Sequence, residues 1–293
     1  MSRLSNKILA AGVLILSLFA GLVGCGAGFD TKGMNYKWVK QNRYICHALG
    51  EIDGYSYTNS KEAFLENYKK GYRVFEIDLK LTSDDELVMI HSWRNRDLRK
   101  LLGIEREKEE NKQPLSYEEF ISAKIYGKYT TMSFKDFAEL IKDYPDIYVV
   151  LDGKYGEDNK EEVPIEYKKI YNILSESAPE LLDHIIPQIY YEEMLEQIMD
   201  VYKWKSVIYT WYGFDNDPDF DAKKEIDFAV RNGIEVITLN EDRLENLENE
   251  GIFKEELLKR KLVPYVHTIN DSTVRDELKE RKVYGFYTDN LID

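Results

Sequence analysis

The alternation of short β-rich runs with helical patterns most restricts what this chain can fold into. From residue 43 onward, eight runs rich in β-branched and aromatic residues are separated by segments with apolar side chains at helical spacing. The predicted strands are Tyr44–Ala48, Tyr72–Leu81, Ile147–Leu151, Ile185–Tyr190, Val207–Trp211, Glu235–Leu239, Val263–His267 and Tyr284–Tyr287. Eight alternating units predict a parallel (β/α)8 barrel, or TIM barrel, with a doubly wound open sheet as the alternative.

A further run, Leu87–His91, follows the second strand too closely for a parallel crossover and therefore predicts a β-hairpin. If Asp84 and Asp85 form a two-residue loop, His91 lies directly opposite Asp78. Residues 92–132 then form a small insertion after the hairpin. Ser133, with Asp136 three residues later, is typical of a capping box that opens the next helix.

The first 25 residues have the pattern of an export signal. Arg3 and Lys7 precede an apolar run, Ile8–Val23, which is shorter than a permanent membrane span. The end of this run, Leu22-Val23-Gly24-Cys25, resembles a bacterial lipobox, in which the cysteine is lipidated. We therefore expect residues 1–24 to be a lipoprotein signal peptide, 25–42 a tether and 43–293 the barrel domain; an uncleaved signal anchor is the alternative. The expected location is the bacterial cell membrane, lipid-anchored and facing outside the cytoplasm.

Composition narrows the class of partner. The formal net charge is −14, from 40 Lys and Arg against 54 Asp and Glu, and 43% of residues are hydrophobic. A large core is therefore possible, but an acidic body argues against binding nucleic acid, which needs a basic surface. The expected partners are a small phosphodiester or lipid head-group substrate, and the membrane through Cys25. No obligate protein partner is evident.

Paired carboxylates on the second strand indicate a metal site. Glu76 and Asp78 are two residues apart, so their side chains point to the same face of the strand. Burying two like charges is costly unless a cation compensates, and oxygen ligands suit a hard divalent ion. We therefore interpret this pair as metal ligands.

Other polar residues end neighbouring strands at the same mouth of the predicted barrel. His47 ends the first strand, and Asp152 and Lys154 end the third parallel strand. Active sites of (β/α)8 barrels assemble from residues at these strand ends. Imidazoles at positions 47 and 91, near carboxylates and a metal, are natural acid and base groups.

These motifs resemble the glycerophosphodiester phosphodiesterase family. The resemblance covers residues 43–290, is specific in the N-terminal half and is weak over residues 185–250. It is carried by His47, Asn59, Ala63-Phe64, Gly71, Glu76-Ile77-Asp78, Thr82, Asp84, Val88, His91, Leu151-Asp152-Gly153-Lys154, His267-Thr268-Ile269-Asn270 and Gly285-Phe286-Tyr287-Thr288-Asp289. Two positions depart from the family pattern: Ala48 replaces an arginine that helps to hold phosphate, and Asp152 replaces a glutamate.

The resemblance implies a metal-dependent hydrolase. Glu76, Asp78 and Asp152 would bind Mg²⁺ or Ca²⁺, His47 and His91 would act as base and acid, and Lys154 would contact the phosphate. We also expect His267 and Trp211 to line the substrate pocket. Two alternatives stay open: a phospholipase C- or D-like enzyme acting on intact lipid, and a catalytically inactive barrel lipoprotein used for binding.

Overall fold

The computed structural model describes residues 33–211 and 220–292, so the predicted signal sequence and Cys25 lie outside the described residues. The strands are β1 (Tyr44–Cys46), β2 (Val74–Leu81), β3 (Leu87–Met89), β4 (Lys124–Ile125), β5 (Tyr129–Thr130), β6 (Tyr148–Asp152), β7 (Ile185–Ile189), β8 (Ile208–Thr210), β9 (Val236–Leu239), β10 (Val263–Val266) and β11 (Gly285–Thr288). The helices are α1 (Lys61–Lys70), α2 (Asn95–Leu102), α3 (Tyr117–Ser122), α4 (Phe134–Ile141), α5 (Val163–Ser177), α6 (Glu192–Val201), α7 (Ala222–Arg231), α8 (Glu241–Asn249) and α9 (Ser272–Glu280). Short 3-10 helices of three to six residues and a short π-helix, Phe253–Leu258, complete the described elements.

Eight parallel strands close into a barrel. The strand order is β1-β11-β10-β9-β8-β7-β6-β2, and β1 pairs with β2 to complete the circle. Each predicted parallel strand overlaps one of these eight, so the predicted (β/α)8 fold is confirmed and the open sheet is excluded.

Side chains from all eight strands fill the lower half of the barrel. The buried interior residues at this level are Ile45, Val74, Val150, Ile186, Ile208, Val236, Tyr265 and Tyr287. A second and larger core lies between the sheet and the surrounding helices. The barrel interior is therefore packed at the bottom, as in other (β/α)8 barrels, and a site for polar side chains can form only at the mouth.

The chain preceding β1 closes the bottom of the barrel. In the one-turn helix Lys37–Lys40, Trp38 is only 1% exposed and its Nε1 donates to Oγ of Ser206 at 3.2 Å. The hydroxyl of Tyr36 donates to the carbonyl of Val207 at 3.0 Å. The predicted boundary between tether and barrel at residue 43 is therefore too late, because apolar side chains before it belong to the core.

Side-chain caps open α1 and α4, and the cap predicted from the sequence, at α4, is confirmed. Ser60 caps α1 by accepting from the amide of Ala63, and Gly71 ends α1 in the left-handed conformation. Ser133 and Asp136 form the predicted capping box at the start of α4. These caps satisfy backbone groups that a helix leaves unpaired at its ends.

The hairpin forms, but its predicted register is wrong by one residue. β2 and β3 pair Leu79 with Met89 and Leu81 with Leu87, which would place Ile90, not His91, opposite Asp78. The loop has three residues, because the amide of Thr82 donates to the carbonyl of Glu86 at 2.9 Å and Asp85 adopts a positive φ of 65°. A three-residue hairpin with its last residue in the left-handed region is a standard alternative to the two-residue loop.

The predicted insertion is a small subdomain that carries α2, α3 and the two-stranded β4–β5 sheet. Within residues 33–211 and 220–292, no helix has the length and apolar character needed to cross a bilayer.

We predict that Trp38→Ala lowers the free energy of unfolding by about 3–5 kcal/mol, because it opens a cavity at the closed end of the barrel. Lys37→Ala is the matched control, since Lys37 is exposed on the same turn. Denaturant unfolding of both variants measures the difference. Equal stability of the two variants would show that residues 36–39 do not support the barrel.

Candidate active site

Three carboxylates from two adjacent strands meet at the mouth of the barrel. Asp78 on β2 and Asp152 on β6 are direct neighbours in the sheet, and Glu76 lies two residues before Asp78 on the same face. One oxygen from each lies within 4.8 Å of the others. Glu76 is 1%, Asp78 0% and Asp152 4% exposed. The structure thus brings together the three predicted metal ligands.

The carboxylates are only partly compensated by protein groups. The amide of Ala48 donates to Oε2 of Glu76 at 2.6 Å, and Nδ2 of Asn59 donates to Oδ2 of Asp78 at 2.8 Å. Oε1 of Glu76 is buried and accepts no hydrogen bond. Burial, together with the charge of Asp78, raises the pKa of Glu76 to about 8.

Lys154 provides the main positive charge for the other two carboxylates. Its Nζ lies 2.5 Å from Oδ1 of Asp78 and 2.6 Å from Oδ2 of Asp152. Burial alone would raise the pKa of Asp78, but the charges of Lys154, His91 and His47 outweigh burial and hold that pKa well below its usual value.

A tight backbone turn directs Lys154 back over the mouth. Lys154 has a φ of 53°, and its amide donates to Oδ1 of Asp152 at 3.1 Å. A side chain at Gly153 would overlap the ring of Tyr155, so glycine is required there. The Tyr190 hydroxyl donates to the same Asp152 oxygen and fixes its orientation.

His47 is held at the mouth by a carboxylate from the last strand. Its Nδ1 lies 2.9 Å from Oδ1 of Asp289, and Asn270 holds the other oxygen of Asp289 through Nδ2 at 2.7 Å. Burial would lower the pKa of His47, but the hydrogen bond to Asp289 and the charge of Glu76 raise it to about 9. Because a carboxylate oxygen accepts, Nδ1 carries a proton and Nε2 is left for chemistry.

His91 has a similar arrangement supplied by the insertion. Its Nδ1 lies 3.2 Å from Oδ2 of Asp97, and Ser92 donates its hydroxyl to the same oxygen at 2.5 Å. The ring of Tyr57 stands between the two imidazoles, with centroids 4.7 Å from His47 and 5.1 Å from His91, edge-on in both cases. Although the predicted register is wrong, His91 still reaches the mouth, because the pairing of β3 ends at Met89 and His91 lies two residues beyond it, where the sheet no longer sets the direction of the side chain.

The two predicted pocket residues differ in outcome. His267 lies at the mouth, with its ring centroid 6.3 Å from that of His47. Burial and the charge of His47 lower the pKa of His267 to about 3, so it is neutral at physiological pH. Trp211 instead packs in the outer core against Tyr209 and Phe220, on the side of β8 opposite to Ile208. The expectation that Trp211 lines the pocket is wrong, because strand alternation turns it outward.

Sequence reasoning missed the carboxylates that orient the two imidazoles. Asp289 follows β11 directly, so the strand-end rule that identified Asp152 could also have identified Asp289. Asp97 gives no such signal, because it lies in the insertion and its relation to His91 depends on how α2 folds back.

The residues present at the mouth fit a bound divalent cation. Glu76, Asp78 and Asp152 offer converging carboxylate oxygens, which are the ligands that Mg²⁺ and Ca²⁺ prefer. The buried Glu76 Oε1 without a hydrogen-bond donor is the atom that a cation would satisfy. This group could therefore hold a metal ion.

We predict that saturating Ca²⁺ or Mg²⁺ raises the unfolding midpoint by roughly 5 °C and that a chelator reverses the shift, because binding to the folded state alone stabilises it. Glu76→Gln should abolish the shift. Glu225→Gln is the matched control, since Glu225 is a buried acid bonded to Tyr209 outside this site. A shift that survives Glu76→Gln, measured by scanning fluorimetry, would place the cation elsewhere.

Comparison with solved structures shows that other proteins share the fold of this chain. No model of a known protein family matches the sequence, and no curated sequence matches it. A glycerophosphodiester phosphodiesterase from Parabacteroides distasonis is similar in structure, with a TM-score of 0.63 and 14% identity over 85% of this chain and 92% of that chain. One from Thermotoga maritima gives a TM-score of 0.61 and 18% identity over 85% and 94%. An Oleispira antarctica phosphodiesterase, solved with the product sn-glycerol-3-phosphate, gives 0.63 and 14% over 84% and 92%. The chain therefore has the (β/α)8 barrel fold of the solved glycerophosphodiester phosphodiesterases.

Proposed function

We propose that this protein is a metal-dependent phosphodiesterase that hydrolyses glycerophosphodiester-type substrates. The observation that carries the proposal is the mouth itself: two imidazoles, each oriented by its own carboxylate, beside three buried carboxylates. The fold is shared with glycerophosphodiester phosphodiesterases and with a phosphodiesterase solved with its product sn-glycerol-3-phosphate, which supports the same class of reaction.

The two imidazoles would divide the proton transfers. The negative charge of Glu76, which helps to raise the His47 pKa, would be offset by a cation held beside it, and Nε2 of the neutral His47 would then take a proton from the attacking water, whose oxygen bonds to phosphorus. As the P–O bond to the alcohol breaks, His91 gives its proton to the alcohol oxygen. Asp289 and Asp97 keep each ring in one orientation and stabilise its charged form. The products are glycerol phosphate and a free alcohol.

Glu76, Asp78 and Asp152 would hold the cation, which when bound supplies a Lewis acid for a phosphoryl oxygen. Lys154 would contact the phosphate as a positive point charge. At the position where the family that this sequence resembles has an arginine, Ala48 offers only its buried methyl group and its amide, so no second cation would contact the phosphate from there. Tyr57, between the imidazoles, shields the reacting groups from bulk water.

We predict that the enzyme releases alcohol from glycerophosphodiesters and that EDTA abolishes turnover. His47→Ala and His91→Ala should each lower kcat by about 10²–10⁴-fold, because each removes a general acid or base. His184→Ala is the matched control: that ring stacks on Tyr148 at 4.5 Å and lies before β7, at the other end of the barrel. Full activity of either mouth variant, or no turnover on any glycerophosphodiester with metal present, would refute the proposal. The second result would favour an inactive binding barrel, whereas chelator-insensitive cleavage of intact lipid would favour a phospholipase.

We further propose that residues 1–24 are a lipoprotein signal peptide and that Cys25 carries the lipid, which would hold the barrel at the outer face of a bacterial membrane. The lipobox-like Leu22-Val23-Gly24-Cys25 supports this proposal.

We predict that Cys25→Ser abolishes lipid labelling and leaves the precursor uncleaved in a bacterial host. Cys46→Ser is the matched control, since Cys46 is a buried free thiol in β1. Metabolic labelling with a fatty acid measures the outcome, and equal labelling of both variants would contradict the assignment.

A further inference from the structure

A cavity of about 340 Å³ lies beside His91 and Tyr57. It is lined by Tyr57, His91, Arg96, Asp97, Lys100 and Leu101. Four of these residues lie on helix α2 of the insertion, so this cavity is built by the part of the chain that the barrel itself does not require. Its size suits a small group such as a substituted glycerol.

The segment that builds most of this cavity has a charge opposite to that of the whole protein. The segment 94–100 contains Arg94, Arg96, Arg99 and Lys100 against one acid, Asp97, whereas the chain carries a net charge of −14. A local positive patch beside a reaction site raises the local concentration of anions and favours their binding.

Both carboxylate oxygens of Asp97, the acidic residue of the cavity, already accept hydrogen bonds. Oδ2 of Asp97 accepts from His91 and Ser92, and Oδ1 accepts from Nε of Arg96 at 3.2 Å. Arg96 uses only Nε in this contact, so its terminal guanidinium nitrogens can still donate to a ligand.

Lys100 is the second cation facing the cavity. Its Nζ lies 5.7 Å from the centroid of the Tyr57 ring. Within residues 33–211 and 220–292, no carboxylate forms an ion pair with it. The apolar sides of Tyr57 and Leu101 complete the lining and can cover a carbon skeleton.

We propose that this cavity binds the leaving alcohol and selects one that carries its own negative charge, such as a second phosphate group. The proposal rests on the proposed function, in which His91 gives its proton to the leaving oxygen. An alcohol held there has its oxygen at His91 and its remaining atoms beside Arg96 and Lys100. An anionic substituent is then attracted, whereas a quaternary ammonium group such as choline is repelled.

Three diesters with the same glycerophosphoryl half test the proposal: glycerophosphocholine, glycerophosphoglycerol and glycerophosphoglycerol with a terminal phosphate. For the metal-loaded wild-type protein we expect kcat/KM to be highest for the phosphate-terminated diester, about tenfold above glycerophosphoglycerol, and lowest for the choline diester. The preference should shrink at high salt, because exposed charges are screened.

Two double variants distinguish an effect of the cavity residues from an effect of the overall positive charge of segment 94–100. Arg96→Gln with Lys100→Gln should remove the preference for the phosphate-terminated diester. Arg94→Gln with Arg99→Gln changes the charge of the same segment equally but alters no cavity residue, and it should keep the preference. Lys100→Gln alone also lowers the preference without touching the Asp97 contact that orients His91.

The outcomes distinguish this proposal from the one on which it rests. Turnover of all three diesters at equal kcat/KM, or equal loss of preference in both double variants, would overturn the charged-cavity proposal and leave the phosphodiesterase assignment standing. Absence of turnover on all three diesters would refute both the charged-cavity proposal and the proposed phosphodiesterase function.

Discussion

The cost of burying three carboxylates side by side governs the design of this protein. The sheet register makes Asp78 and Asp152 direct neighbours, and strand alternation adds Glu76 on the same face. The surrounding groups lower this cost. Lys154 lies between two of the carboxylates, amide groups of Ala48 and Asn59 donate hydrogen bonds, and an imidazole lies nearby. This compensation of the buried charges is incomplete, since one oxygen of Glu76 accepts no hydrogen bond and the pKa of Glu76 is raised. Incompletely compensated buried charges of this kind are common at functional sites, and here they would favour a bound cation.

The barrel makes this arrangement possible by separating support from chemistry. Below the mouth, one apolar residue from each of the eight strands and the aromatic closure by Tyr36 and Trp38 form a rigid base. Above it, strand ends and loops supply the polar groups. This separation also explains why structure comparison finds a shared fold that sequence comparison does not. The base needs only apolar volume, which many sequences provide, and the mouth needs few particular residues.

Much of the fold and half of the site could be predicted from the sequence, because both depend on local periodicity. Strand alternation and strand-end positions predicted that His47, Glu76, Asp78 and Asp152 lie together at the mouth, and the structure places them there. The errors arise where one residue of register or a distant contact decides the outcome. Asp85 adopts a left-handed conformation that lengthens the hairpin loop, and the same parity rule turns Trp211 away from the pocket. Asp97 could not be found, because its role depends on the tertiary position of the insertion. Trp38 stands in a polar stretch whose burial only the closed barrel explains.

The chain enters at the bottom of the barrel, which decides at which end an upstream attachment would hold the molecule. Asn35 and Tyr36 are bonded to Lys205 and Val207 at the start of β8, which is the end of the barrel opposite to the carboxylates. Any attachment made upstream of these residues therefore pulls on the closed end. A protein tethered in this way would stand with its catalytic opening turned toward the surrounding medium, and it would meet diffusing solutes before the surface to which it is fixed.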